Sequence, residues 1–227
     1  MNGGNGAGLS DVRGSVHLQE LWRYPVKSMA GERLDRADLR ADGIAGDRVL
    51  QVHDAHDRIV TSRSRPALLA HRGTIGPDGQ PLVDGRPWAS PEVDRDVISA
   101  AGPGSRLIRD EGLERFDILP LLVATDGAVA AFGHDRRRLR PNLLIGGVAG
   151  LDEREWEGRR LRIGKVVIDL VDLRERCIMT TFDPDTQAQD VEVLKKIRRE
   201  FGGKLALNAR VREGGAVTVG DPVELLQ

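Results

Sequence analysis

One cysteine, one tyrosine and three tryptophans are all this chain has of its most specialised side chains. The lone thiol, Cys177, excludes an intramolecular disulfide framework. It also excludes a self-contained iron–sulfur cluster, which ordinarily takes about four ligands. A reducing, cytoplasmic compartment fits that scarcity. Aromatic residues make up 4% of the chain, so the core has to be built from Leu, Val, Ile and Ala. Charge of either sign is not in excess: 34 Lys and Arg face 35 Asp and Glu, for a formal net charge of −1. A chain so balanced is not a general nucleic-acid binder, and any anion site must come from local clustering. No run approaches the roughly 18–20 apolar residues of a membrane span. The opening MNGGNGAGLSD has neither the basic start nor the apolar run of a signal peptide. Its glycines have no strand before them and no helix after them, as a phosphate loop requires, so residues 1–13 are expected to form a disordered tail. Gly-x-Ser-x-Gly, Walker and His-Glu-x-x-His motifs are all missing.

What is present is ordinary globular material: 227 residues, 40% hydrophobic and 30% charged, enough for one large or two small cores. Short aliphatic runs dominate, among them SVHLQELWRYPV, RVLQVHD, LPLLVAT, PNLLIGG, RLRIGKVVIDLVDL and KLALNARV, most of them bounded by Gly, Pro or Asp. Three stretches read as helices. One is capped by Ser90, begins at Pro91 and stops at Gly102; a second runs from a Thr125 cap to Gly133. The third, DVEVLKKIRREFGG, repeats Val191, Leu194, Ile197 and Phe201 at helical spacing before Gly202. The predicted fold is mainly β with a few helices (α+β), barrel-like, in two parts over residues 14–100 and 101–227.

Against a neutral background, local basic groups stand out. Arg23, Lys27 and Ser28 surround a Pro turn, Arg48 follows the GIAGD turn, and HDRRRLRPN brings Arg136, Arg137, Arg138, Arg140 and then Asn142. Arg forks, a Lys charge, a Ser hydroxyl and backbone amides can together cradle an anion. On charge pattern alone the simpler reading is a solvated face paired with the equally numerous acids. That reading suits the consecutive run Arg136 to Arg138 best. His53 and His56 flank a turn without a third metal ligand beside them, and FDPDT reads as a capped turn around Asp183 and Asp185. Cys177 lies in RERCIMTTFDPDT, where an apolar run meets a polar turn and where Arg174 and Arg176 set two positive charges beside the thiol. A free Cys is often only a small core residue, but such charges suit a nucleophile or a metal ligand.

These motifs together resemble the MOSC family, named for the C-terminal domain of molybdenum cofactor sulfurase. More narrowly, the chain is similar to a bacterial relative of the mitochondrial amidoxime-reducing component. LWRYPVKSMAGERL and ADGIAGDR resemble the family's N-terminal β-barrel; FDILPLLVAT, RLRPNLLI, RCIMTTFDPDT and VGDPVEL resemble the MOSC domain, in family order. The resemblance implies a pyranopterin molybdenum cofactor between the two halves, with Cys177 as the catalytic thiolate bound to molybdenum. It implies further cofactor contacts at Lys27, Ser28, Arg48, Asp117, Arg140, Asn142 and Arg176, with Asn208 on the cofactor side. Val49 stands where relatives often carry an aromatic residue, and Gln187 where a glycine often follows DPDT; both departures would alter a pocket wall. Neither the membrane anchor of the mitochondrial relatives nor the ferredoxin-like extension of some bacterial ones is in this sequence.

The resemblance therefore implies a monomeric molybdenum oxidoreductase that reduces N-hydroxylated or N-oxide substrates. A separate electron-transfer protein would supply the electrons, and neither nucleic acid nor membrane would be a partner. Two alternatives stand beside it: a non-catalytic carrier of the molybdenum cofactor, and a sulfur carrier or sulfurtransferase using a Cys177 persulfide. A Schiff-base lysine is not indicated, since Lys27 reads better as an anion contact.

Overall fold

The computed structural model describes residues 15–227; the predicted tail, residues 1–13, lies outside the described residues. An eight-stranded sheet forms the frame. Its strands run in the order Val223–Leu226, Arg160–Ile163, Val166–Glu175, Lys204–Glu213, Leu121–Thr125, Leu143–Gly146, His17–Arg23 and Glu32–Leu34. All neighbouring pairs are antiparallel except Leu121–Thr125 with Leu143–Gly146. Three smaller sheets of three strands each are built around Leu50–His53, Arg36–Arg40 and Pro81–Val83. The first strand thus sits in the large sheet beside a strand more than a hundred residues later, with Leu21 opposite Leu143.

Among the described residues the fold is mainly β with three α-helices, as predicted, but no sheet closes into a barrel. The large sheet curls until its ends are close: Leu18 N donates to Asp221 O at 2.8 Å and Val223 N to Val16 O at 2.9 Å. A single isolated bridge, His17 to Pro222, stands where a closed barrel would need a continuous ladder. Closure depends on the stagger between distant strands, which no local stretch of sequence encodes. Arg36–Arg40 is a strand the sequence reading passed over, although Ala37 and Leu39 alternate inward between exposed charges.

The helices carry their expected caps. α1 (Pro91–Ala101) starts with Ser90 Oγ accepting from Val93 N and ends at Gly102. α2 (Asp126–Phe132) starts with Thr125 accepting from Ala128 N and ends at Gly133 in the left-handed region. α3 (Val191–Phe201) is capped by Asp190 and closed by left-handed Gly202. Its apolar face differs from the predicted one by a residue at the start: Val193, Ile197 and Phe201 are buried, while Val191 is 49% exposed. Both spacings are helical, and packing against Ala128, Phe132 and Leu139 selects the i, i+4, i+8 set.

The main core lies on one side of the large sheet, around Leu18, Leu21, Leu143, Ile145, Ile168 and Leu207. A second core holds α1 against Leu50 and Val52, and includes Val49. No helix among the described residues is long and apolar enough to cross a membrane. His53 pairs with Asp57 at 3.3 Å and His56 is exposed, a surface turn rather than a ligand pair. His71, Asp84 and Asp96 converge among the described residues, but Arg86 pairs with both carboxylates and offsets one of their two charges.

Candidate functional site

Several loops meet at one end of the large sheet and enclose a cleft of about 780 Å³. The segment after His17–Arg23 brings Lys27 and Ser28, the turn before Leu50–His53 brings Arg48, and the approach to Leu143–Gly146 brings Arg140 and Asn142. Arg174 is the penultimate residue of Val166–Glu175, and Arg176 and Cys177 follow that strand before the short turn Ile178–Thr181. Asn208 reaches in from the middle of Lys204–Glu213, beside Ala206 at φ 68° and a register shift that re-aims the strand. All nine residues singled out from the sequence, from Lys27 to Asn208, line this one cleft.

The backbone is strained where the cations are held. Ser28 (φ 72°), Arg48 (φ 56°) and Arg140 (φ 57°) occupy the left-handed region although none is glycine. Such positions cost roughly 1–3 kcal/mol each and persist where the surroundings over-determine them. Asp47, fully buried, is the organiser. Its carboxylate accepts from Tyr24 N at 2.6 Å and Asn142 Nδ2 at 3.2 Å, and pairs with Arg48. Asn142 is also fully enclosed; its amide accepts from Leu122 N at 3.2 Å and donates to Trp22 O at 3.2 Å. It thereby ties the first strand to the loops that form the cleft.

Asp117 gathers the cations at the mouth. Lys27 Nζ lies 2.9 Å from it, Arg174 3.6 Å, and Arg63 donates to it directly. Burial pushes the Asp117 carboxyl up, but the Lys27 hydrogen bond and the charges of Lys27, Arg63 and Arg174 outweigh burial and hold it at about 2. Asn208 fixes Arg174 by accepting at 3.3 Å from it and donating at 2.8 Å to Asp172. Arg63 and Cys177 line the same part of the cleft. Burial works to lower the Arg63 pKa, and the neighbouring Cys177 sulfur together with the Asp117 carboxylate raises it above its ordinary value.

Deeper in, the balance of charge fails. Arg140 donates to Met29 O at 2.6 Å and lies 4.3 Å from the centre of the Tyr24 ring, with no carboxylate in ion-pair range among the described residues. Burial pushes its pKa down to about 10. Arg176 donates to Leu139 O at 2.8 Å, but its enclosed Nε has no partner. Burial, with Arg174 next, pushes it down to about 10 as well. Tyr24, beneath Arg140, is pushed up to about 12 by burial and stays a neutral phenol that donates to Pro141 O at 3.1 Å.

Two residues at the cleft escaped the sequence reading. Arg63 sits in TSRSRP, which reads as a polar turn; only the fold brings it to Cys177. Arg138 was grouped with a solvated run, yet its side chain is 9% exposed and lines the cleft. It donates to Thr180 O and Thr181 O at 3.3 and 3.0 Å and pairs with Asp183 at 3.0 Å, holding the turn after Cys177. The correction applies to Arg138 alone. Arg137 pairs with Asp135 and Asp185 at the surface, and Arg136 lies over Trp22 and bonds Glu20 at 2.7 Å. Asp183 Oδ1 accepts from Asp185 N and Thr186 N, the capped turn expected of FDPDT.

Two family-model matches, which together span most of the chain, give the class: this is a protein of the MOSC family. Residues 15–93 match the MOSC N-terminal beta barrel domain and residues 128–224 match the MOSC domain. Among curated proteins, the chain is 25% identical over 283 residues to "Mitochondrial amidoxime reducing component 2" of Macaca fascicularis, covering 91% of this chain and 82% of that protein. It is likewise 25% identical over 280 residues to "Mitochondrial amidoxime-reducing component 1" of Homo sapiens, covering 92% and 82%. Among solved structures, the YUAD protein from Bacillus subtilis shares 15% identity at TM-score 0.46, covering 93% of this chain and 96% of that one. YiiM from Escherichia coli shares 14% at TM-score 0.43, covering 90% and 70%.

Proposed function

We propose that this protein is a molybdenum-cofactor-dependent oxidoreductase that reduces N-hydroxylated or N-oxide compounds with electrons from a separate protein. The observation that carries the reading is the pair of half-buried arginines, Arg140 and Arg176, neither with a carboxylate partner among the described residues and one with an enclosed, orphaned Nε, beside the only thiol. Buried cations without partners are costly, and an anionic ligand removes that cost. The donor set therefore fits a phosphorylated pterin: Arg140, Arg176 and Arg48 would hold the phosphate, with the Ser28 hydroxyl and Lys27 completing the cradle. Asp117, ionised down to about 2, is an acceptor for ring N–H groups and not a proton donor. Cys177 offers the soft sulfur that suits molybdenum. The relatives' names, amidoxime reducing components, agree with this chemistry.

When bound, the cofactor would supply the two-electron removal of oxygen from nitrogen: the substrate N–O bond breaks, and two electrons and two protons yield water together with the N–H product of an N-hydroxylated substrate or the free amine of an N-oxide. The protein's share is placement. Arg63 donates to Asp117 and lines the cleft with Cys177, so its guanidinium stands at the mouth near the thiol. It can donate to the substrate oxygen there as negative charge develops. The test is metal and pterin analysis of protein made in a competent host, followed by turnover of an amidoxime with reduced viologen. Turnover with viologen and none with NADPH alone is expected. Absence of molybdenum and pterin would overturn the reading, whereas loaded protein inert toward every N-oxygenated compound would leave a carrier.

A further inference from the structure

A second cleft, of about 1000 Å³, shares one wall residue with the first: Arg140. Its other walls include Trp22 and Tyr24, with rings 18° from parallel, and Leu69 and Pro184. Gly31 keeps the Tyr24 wall flush, since a Cβ there would lie 2.5 Å from the ring. Gln187, held at φ 58° with its amide folded onto Asp185 O at 2.9 Å, borders the same space.

The charges of this cleft do not cancel. Arg137 is matched by Asp135 and Asp185. Arg72 donates Nε to Gly31 O at 3.2 Å and, like Arg140, has no carboxylate in ion-pair range among the described residues. Two guanidiniums with donors to spare thus border a space otherwise walled by aromatic and aliphatic groups. Such a combination, a mostly apolar cavity with a few convergent polar groups, is that of a small-molecule site. We propose that this cleft binds a small aromatic carboxylate, its ring against Trp22, Tyr24 and Leu69 and its carboxylate between Arg72 and Arg140. A bare inorganic anion would leave the apolar walls unused, and a neutral aromatic would leave the guanidiniums unmatched.

The experiment uses metal-free full-length protein with 15N-labelled tryptophan, titrated separately with benzoate, benzamide and inorganic phosphate. The chain has three indoles, and only Trp22 lines the cleft; Trp88 packs on the α1 core and Trp156 in the main core. Benzoate is expected to shift the Trp22 indole signal saturably. Arg72→Ala should weaken binding about ten- to a hundred-fold, the range for a lost charge-assisted contact. Ala70→Phe, which fills the cleft from an exposed position, should abolish it. Benzamide should bind at least about ten-fold more weakly. The proposal is overturned if the Trp22 signal does not saturate, if both variants bind benzoate like the wild type, or if benzamide or phosphate saturates the Trp22 signal as tightly as benzoate, whatever phosphate does in the first cleft. Because no metal or cofactor is needed, and Cys177→Ala should behave as wild type here, the outcome is separable from that of the oxidoreductase reading.

Discussion

Replacing Arg140 by Met removes a charge but keeps the length and the left-handed backbone strain of the position. Losing a buried side chain's interactions ordinarily costs about 2–5 kcal/mol. Here the charge is itself a burden. Burial pushes the Arg140 pKa down to about 10. At about 1.4 kcal/mol for each pH unit, keeping the proton there costs about 3 kcal/mol. Against that relief stand the Met29 O bond, worth about 1.5–3 kcal/mol for a charged donor, and the Tyr24 ring contact, about 0.5–2 kcal/mol. The terms nearly cancel, so urea unfolding of metal-free Arg140→Met should give a stability within about 1–2 kcal/mol of wild type. The response to phosphate should differ. At a hundred-fold excess over its dissociation constant, phosphate stabilises the wild type by about 2.7 kcal/mol. At about 2–4 °C per kcal/mol that is a clear rise in Tm, and the variant should lose most of it. A loss of more than about 4 kcal/mol without ligand, with the phosphate response intact, would refute the claim that this cation is unmatched inside the fold.

Cys177→Ala should leave circular dichroism and the phosphate response unchanged while the molybdenum-to-protein ratio drops toward zero; an unchanged ratio would remove Cys177 from the ligand role. Arg138→Ala loses two backbone acceptors and an ion pair at a 9% exposed side chain, and should cost about 1–3 kcal/mol in chemical denaturation. Arg137→Ala, at the surface, should change stability by no more than about 1 kcal/mol. Asp117 has a folded pKa depressed to about 2. Its stabilising share is complete above its unfolded value of about 3.9 and disappears as pH falls from there toward 2; Asp117→Asn should flatten the stability–pH curve in that window and leave its shape above pH ~5 alone. Glu153, buried, accepts from Thr125 N, Thr125 Oγ1 and Ala206 N, so Glu153→Ala should orphan these donors and cost about 3 kcal/mol or more, read as a fall in Tm.

What could be read from the sequence was what is local. Ser90 and Thr125 as caps and Gly133 and Gly202 as stops depend on a few neighbouring residues, and those helices stand where expected. The residues now found around the first cleft were named through motifs whose order along the chain is distinctive. Packing between distant segments was not legible. Arg63 gains its meaning from Asp117 and Cys177, more than fifty residues away, and Arg138 from carbonyls beyond residue 179. Open and closed sheets share the same alternation of inward and outward side chains, which is why closure was expected and not found. Val191 and Val193 fit a helical face equally well until Phe132 and Leu139 choose between them.

The seating of His17–Arg23 beside Leu143–Gly146 has a consequence for how the protein is made. During translation the first strand leaves the ribosome long before its partner exists. For that interval Leu18 and Leu21, both fully buried in the finished sheet, have nothing to cover them, and a row of backbone donors and acceptors is open to any other chain. Maturation must therefore wait until residues past Gly146 have emerged. A nascent chain stalled before that point should be bound by chaperones and cut readily by protease, and one stalled after it should become resistant.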